Sequence, residues 1–74
     1  MTRYEVRYTQ PFNEQAEYDH GGSLKPLLRK VRARIAQSIH GALAEVTRHE
    51  GSEFVAVAAY GNLNGKLRKI SVPA

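Results

Sequence analysis

The chain has 74 residues, 11 Lys and Arg against 7 Asp and Glu, no cysteine, and a hydrophobic share of 42%. A chain of this length is expected to form one small domain over residues 1–74, apolar enough to fold. The lack of cysteine excludes disulfides, thiolate metal sites and cysteine nucleophiles together. No apolar run reaches the ~18 residues of a membrane span and the first residues do not open a signal peptide, so a cytoplasmic protein without membrane contact is expected.

In chain order, Tyr4, Val6 and Tyr8 alternate with Arg3, Glu5, Arg7 and Thr9, which is the period-two pattern of a half-buried strand over Tyr4 to Thr9. From Gln10 to Gly22 two readings stay open. Phe12, Ala16 and Tyr18 either form a second strand returning from a turn at Pro11-Asn13, or the segment is a connection, giving a sheet of four or three strands.

Leu24, Leu27, Leu28, Val31, Ile35, Ile39, Ala42, Leu43 and Val46 recur at three-and-four spacing and predict one long amphipathic helix from Leu24 to Glu50. Ser23 reads as its N-cap, Pro26 fits its first turn and Gly51 supplies a stop. Gly41 is the weak point, since an interior glycine costs about 1 kcal/mol relative to alanine, and a kink or split near His40-Gly41 is compatible with the pattern.

Phe54 to Tyr60 and Lys66 to Val72 are two further strands joined through Asn64-Gly65, the strongest short-range hairpin signal. Whether the loop has two residues or four, Val55, Val57, Ala59, Ile70 and Val72 share one face, and Phe54, Ala56, Ala58, Tyr60, Leu67 and Lys69 share the other. The expected fold is therefore α+β, a long helix packed on a three- or four-stranded antiparallel sheet in the order β(β)αββ. Its expected core is Val6, Leu28, Val31, Ile35, Ile39, Val46, Val55, Val57, Ile70 and Val72.

Chemistry-bearing residues give little. Glu45 and His49 would stand one helical turn apart, but two ligands do not make a metal site, and His20 and His40 read as a loop residue and a solvated helix residue. Ser23 and Ser38 have no base or oxyanion donor placed by sequence. Gly61 to Gly65 lies between strands, with no phosphate-loop Lys-Ser/Thr pair after it. No catalytic residue, metal or cofactor is expected, and the chain reads as a non-enzyme.

Charge is more informative because it is blocked. Residues 24–36 carry Lys25, Arg29, Lys30, Arg32 and Arg34 with no acid, whereas Glu45, Glu50 and Glu53 follow. Cations in the first half of a helix oppose its macrodipole, so stability does not account for their placement. A strand running back along the long helix would bring Lys66 and Arg68 towards them. With Lys69, and with Tyr60 as a stacking platform, these residues form the expected binding surface.

Two functions compete. One is a small basic module contacting nucleic-acid phosphates; the other is a small regulator or inhibitor, of the kind mobile elements and viruses encode, docking on an acidic protein surface. The second hairpin face, Phe54, Ala56, Ala58, Tyr60 and Leu67, is apolar although one helix covers one side of a sheet, which points to self-association as a homodimer.

Overall fold

The computed structural model describes residues 2–72 and contains a strand pair, one helix and three further strands: β1 (Thr2–Gln10), β2 (Asn13–Gly21), α1 (Leu24–Ala36), β3 (Leu43–Glu50), β4 (Glu53–Leu63) and β5 (Lys66–Ile70). The strands form one antiparallel sheet in the order β2-β1-β3-β4-β5. The expectation of one long helix on three or four strands is therefore overturned, and the order is ββαβββ. Of the two readings of residues 10–22, the structure has the strand. Among the described residues no helix is long and apolar enough to cross a membrane.

The helix ends at Ala36, and the second half of the predicted helix becomes β3, the middle strand of the sheet. The reason lies in an ambiguity of period. Ala42, Leu43 and Val46 fit a helical stripe, but Ala42, Ala44 and Val46 fit alternation equally well, and all three of the latter are buried. Gly41 decides against the helix. Its φ is +91°, in the left-handed region, and a Cβ there would lie 2.6 Å from Cγ of Pro11. The chain turns at this glycine and enters the sheet beside β1, with which it pairs from Thr2↔Glu50 to Thr9↔Leu43. Because β2 and β3 flank β1 and are both antiparallel to it, α1 is the crossover that carries the chain over β1 between two parallel strands.

The core lies between α1 and one face of the sheet. Leu27, Val31 and Ile35 from the helix meet Val6 and Tyr8 of β1, Ala44 and Val46 of β3, and Ala58 and Tyr60 of β4, while Leu67 of β5 closes the side. Val6, Val31, Ile35 and Val46 are fully buried, as expected, and Leu28, Val57 and Val72 are half-buried. Ile39, Val55 and Ile70, placed in the core by the sequence pattern, are instead exposed.

One irregularity divides the hairpin faces that strict alternation predicts. Val46 pairs with Ala58 but Thr47 pairs with Ala56, so Val57 is an extra residue in β4 and strict alternation fails there. Ala58 and Tyr60 turn towards α1, Val55 comes opposite Arg48, and Phe54 and Ala56 lie with His49 and Thr47 on the uncovered face. The predicted association face, Phe54, Ala56, Ala58, Tyr60 and Leu67, is thus not one face: Ala58, Tyr60 and Leu67 pack beneath the helix. The β4–β5 turn has two residues, with Asn64 and Gly65 at φ 55° and 81° as a type I′ turn requires, and Ala59 pairs with Ile70.

Candidate nucleic-acid interface

The helix carries five cations and no acid, and its packing sorts them. With Leu27, Val31 and Ile35 turned to the sheet, the 100° per-residue rotation sends Lys25, Arg29 and Arg32 to the solvent side and Lys30 and Arg34 to the flank above β2. There they meet acids. Lys30 Nζ stands 2.9 Å from Asp19 Oδ2, and Arg34 donates to Glu17 while its guanidinium lies 4.0 Å above the centre of the Tyr8 ring.

These contacts move the proton equilibria in the directions their geometry implies. The hydrogen bond from Lys30, helped by the main-chain N–H of His20, holds the Asp19 carboxyl below the usual range, and Asp19 raises Lys30 in return. Glu17 raises Arg34 in the same way. Burial pushes the Tyr8 phenol up, against the pull of the Arg34 charge. Lys25, Arg29 and Arg32 have no acid within ion-pair distance among the described residues. Ser23 occupies the N-cap position in an extended conformation, without a side-chain cap hydrogen bond.

β5 is an edge strand with three cations and, like α1, no acid. Pairing divides its side chains. Lys69 lies opposite Tyr60 and Leu67 opposite Asn62, on the helix side, whereas Arg68 opposite Gly61 and Lys66 opposite Leu63 lie on the other face. The expected gathering of Lys66 and Arg68 beside the helix arginines is corrected accordingly. The hairpin tip also stands at the other end of the helix, since the Asn64 N–H donates to His40 Nδ1 at 2.9 Å and Asn62 reaches Ile35 and Ser38. The inserted strand β3 reverses the chain once more than a single long helix would.

Tyr60 is 6% exposed and belongs to the core, so it presents no stacking surface; Phe54 is exposed on the far face, edge-on to His49 with ring centres 4.5 Å apart. Glu45 and His49 are now four residues apart on an extended strand, about 13 Å, too far to chelate one ion. Among the described residues no cluster of three metal-binding side chains occurs.

The residues missed by sequence reasoning are Glu17, Asp19 and Tyr8, which neutralise or stack on part of the basic set, and Asn62. Alternation of Ala16, Tyr18 and His20 against Glu17 and Asp19 was the available signal for the first two, since it puts both acids on one face of β2. No protein-family model matches the chain, and neither the curated proteins nor the solved structures searched contain a match.

Proposed function

We propose that this protein is a small, non-enzymatic binding module whose α1 and β5 surface contacts the phosphate backbone of nucleic acid without strong sequence preference. One observation carries the reading. α1 and β5 pack against each other and hold 8 of the 11 Lys and Arg residues, while all 7 acids belong to the other four strands. Two of the eight, Lys30 and Arg34, are engaged by acids of β2. Lys25, Arg29 and Arg32 on the helix and Lys69 on the same side of β5 are the contact set, and Lys66 and Arg68 extend it round the sheet edge.

Four phosphate contacts on duplex DNA give a log K against log salt slope of about −3.6, at roughly −0.9 per contact. Fluorescence anisotropy with labelled DNA and RNA of mixed sequence, over a salt series, tests this. Replacing Lys25, Arg29 and Arg32 together by Ala should flatten the slope by about three contacts and weaken all sequences alike. Absence of binding at low salt, by protein with a native circular dichroism spectrum, overturns the reading. It would promote the second one, a regulator docking on an acidic protein surface through the same side chains, which the same charge separation supports.

A further inference from the structure

The sheet face opposite α1 is uncovered, and strand pairing decides which side chains it shows. β2 sends Tyr18 and His20 to it, β1 sends Arg3, Glu5 and Arg7, β3 sends Glu45 and His49, and β4 sends Phe54. Tyr18 is 57% and Phe54 67% exposed, so neither ring is spent on the core. Among the described side chains the face sets Arg3, Arg7, Lys66 and Arg68 against Glu5 and Glu45, a surplus of cations.

Register lines the rings up. Phe54 pairs with His49 and His49 with Arg3, so these three are level, while His20 is level with Glu5 and Tyr18 with Arg7. Tyr18, His20, Arg3, His49 and Phe54 therefore make a diagonal across β2, β1, β3 and β4. It runs about 14 Å across the strands and about 13 Å along them, or about 19 Å in all, at ~4.8 Å per strand and ~3.3 Å per residue. In its middle, between Arg3, Glu5, His20 and His49, lies a hollow of about 280 Å³. His20 Nε2 stands 3.4 Å from Glu5 Oε2, whereas Arg3 and Arg7 have no acid within ion-pair distance among the described residues.

We propose that a single-stranded nucleic acid lies across this face along the diagonal, with bases stacked on Tyr18 and Phe54 and the backbone between them held at Arg3 beside the hollow. The proposal rests on the nucleic-acid reading of the chain and adds to it the form of the ligand, an unpaired strand. Chemistry selects that form. A base offers its flat face to an aromatic ring only outside a duplex stack, and rings spaced over a cationic surface hold single strands without reading their sequence. Exposed rings beside unpaired guanidiniums match a ligand that combines planar apolar faces with negative charge. The cations of α1 lie on the opposite side of the sheet, so the two surfaces share no residue of the diagonal.

Fluorescence anisotropy tests the proposal, with a labelled single strand of about 12 nucleotides and mixed sequence, and with the duplex of the same sequence. Wild type is compared with Tyr18→Ala, Phe54→Ala and the Lys25, Arg29 and Arg32 triple alanine variant. Both ring substitutions fall at exposed positions and should keep the native circular dichroism spectrum. Each should weaken the single strand by about fivefold to a hundredfold and leave the duplex unchanged. Tyr18→Trp, in a chain without tryptophan, should keep the affinity, and its emission should be quenched when the strand binds.

Single-strand affinity unchanged in both alanine ring variants, equal losses for strand and duplex, or no single-strand binding by protein that binds the duplex would each overturn the proposal and leave the phosphate-contact reading standing. Ring variants that weaken the single strand, beside a helix variant that leaves the duplex unaffected, support the proposal and overturn the α1–β5 surface instead. Binding of neither nucleic acid overturns both.

Discussion

The side-chain amide of Asn62 donates to the main-chain oxygen of Ile35, 2.8 Å away, and so ties the end of β4 to the last turn of α1. The same amide donates to the Ser38 oxygen at 2.9 Å, its Oδ1 accepts from the Gly65 N–H at 2.9 Å, and its main chain exchanges hydrogen bonds with Gly41 and Ala42. Asn62 is a buried polar residue beside the core, and its amide adds a further donor to the Ile35 oxygen, which also accepts from the Ser38 N–H, and pairs the Ser38 oxygen beyond the helix end. Helix, inter-element turn and hairpin are joined at one residue.

Asn62→Ala should therefore destabilise by about 2 to 4 kcal/mol, because it removes the amide from the Ile35 and Ser38 oxygens and the acceptor from the Gly65 N–H together, and leaves a small cavity. Urea unfolding measures it. Asn62→Asp should be at least as damaging, since it replaces the donor by a charge facing two carbonyl oxygens. A loss under about 0.5 kcal/mol for the alanine variant would mean that water replaces the amide without penalty.

Ile35 and Ile39 belong to the same stripe in sequence but differ in burial, 1% against 47% exposed. Ile35→Ala should cost about 2 to 5 kcal/mol and Ile39→Ala under about 1. Equal losses in thermal melts would return residues 37–40 to a continuous helix and contradict the described fold.

Gly41→Ala meets two obstacles, a φ of +91° and the Pro11 ring 2.6 Å from the new carbon. It should destabilise by about 1 to 3 kcal/mol. Adding Pro11→Ala should recover the steric part and not the backbone part, so the double variant should fall between the two. Full recovery would show that the left-handed conformation carries no penalty there.

The Asp19–Lys30 pair makes stability depend on pH. Asp19 has a lowered folded value, so its contribution is present above the ordinary 3.8 and is lost as pH falls through the folded value. Lys30 has a raised value, so its side is present below the ordinary 10.5 and is lost as pH rises through the folded value. The melting difference between wild type and Asp19→Asn should accordingly be constant from about pH 5 to 9, shrink below about pH 3.8, and shrink again above about pH 10.5. A difference that does not change across the acid limb would mean that the pair adds nothing to the folded state.

Local signals were legible where one local conformation satisfied them. The alternation of Tyr4, Val6 and Tyr8 admits only a strand, Leu24 to Ile35 only a helix, and Asn64-Gly65 supplies the two positive φ angles of a tight hairpin. The blocks of charge are likewise a property of the chain alone. Residues 37–50 are different, because Ala42, Leu43, Ala44 and Val46 match a helix and a strand equally, and the choice falls to β1, which offers a full ladder of hydrogen bonds from Thr2 to Thr9. The bulge at Val57 is also tertiary, arising from how β3 and β4 meet, and it takes Phe54 and Ala56 off the face that holds Ala58 and Tyr60. Neutralisation of Lys30 and Arg34 depends on β2 passing beneath the helix. Spacing along a chain records which residues can share a face; which face is covered, and which charges find partners, depends on elements distant in sequence.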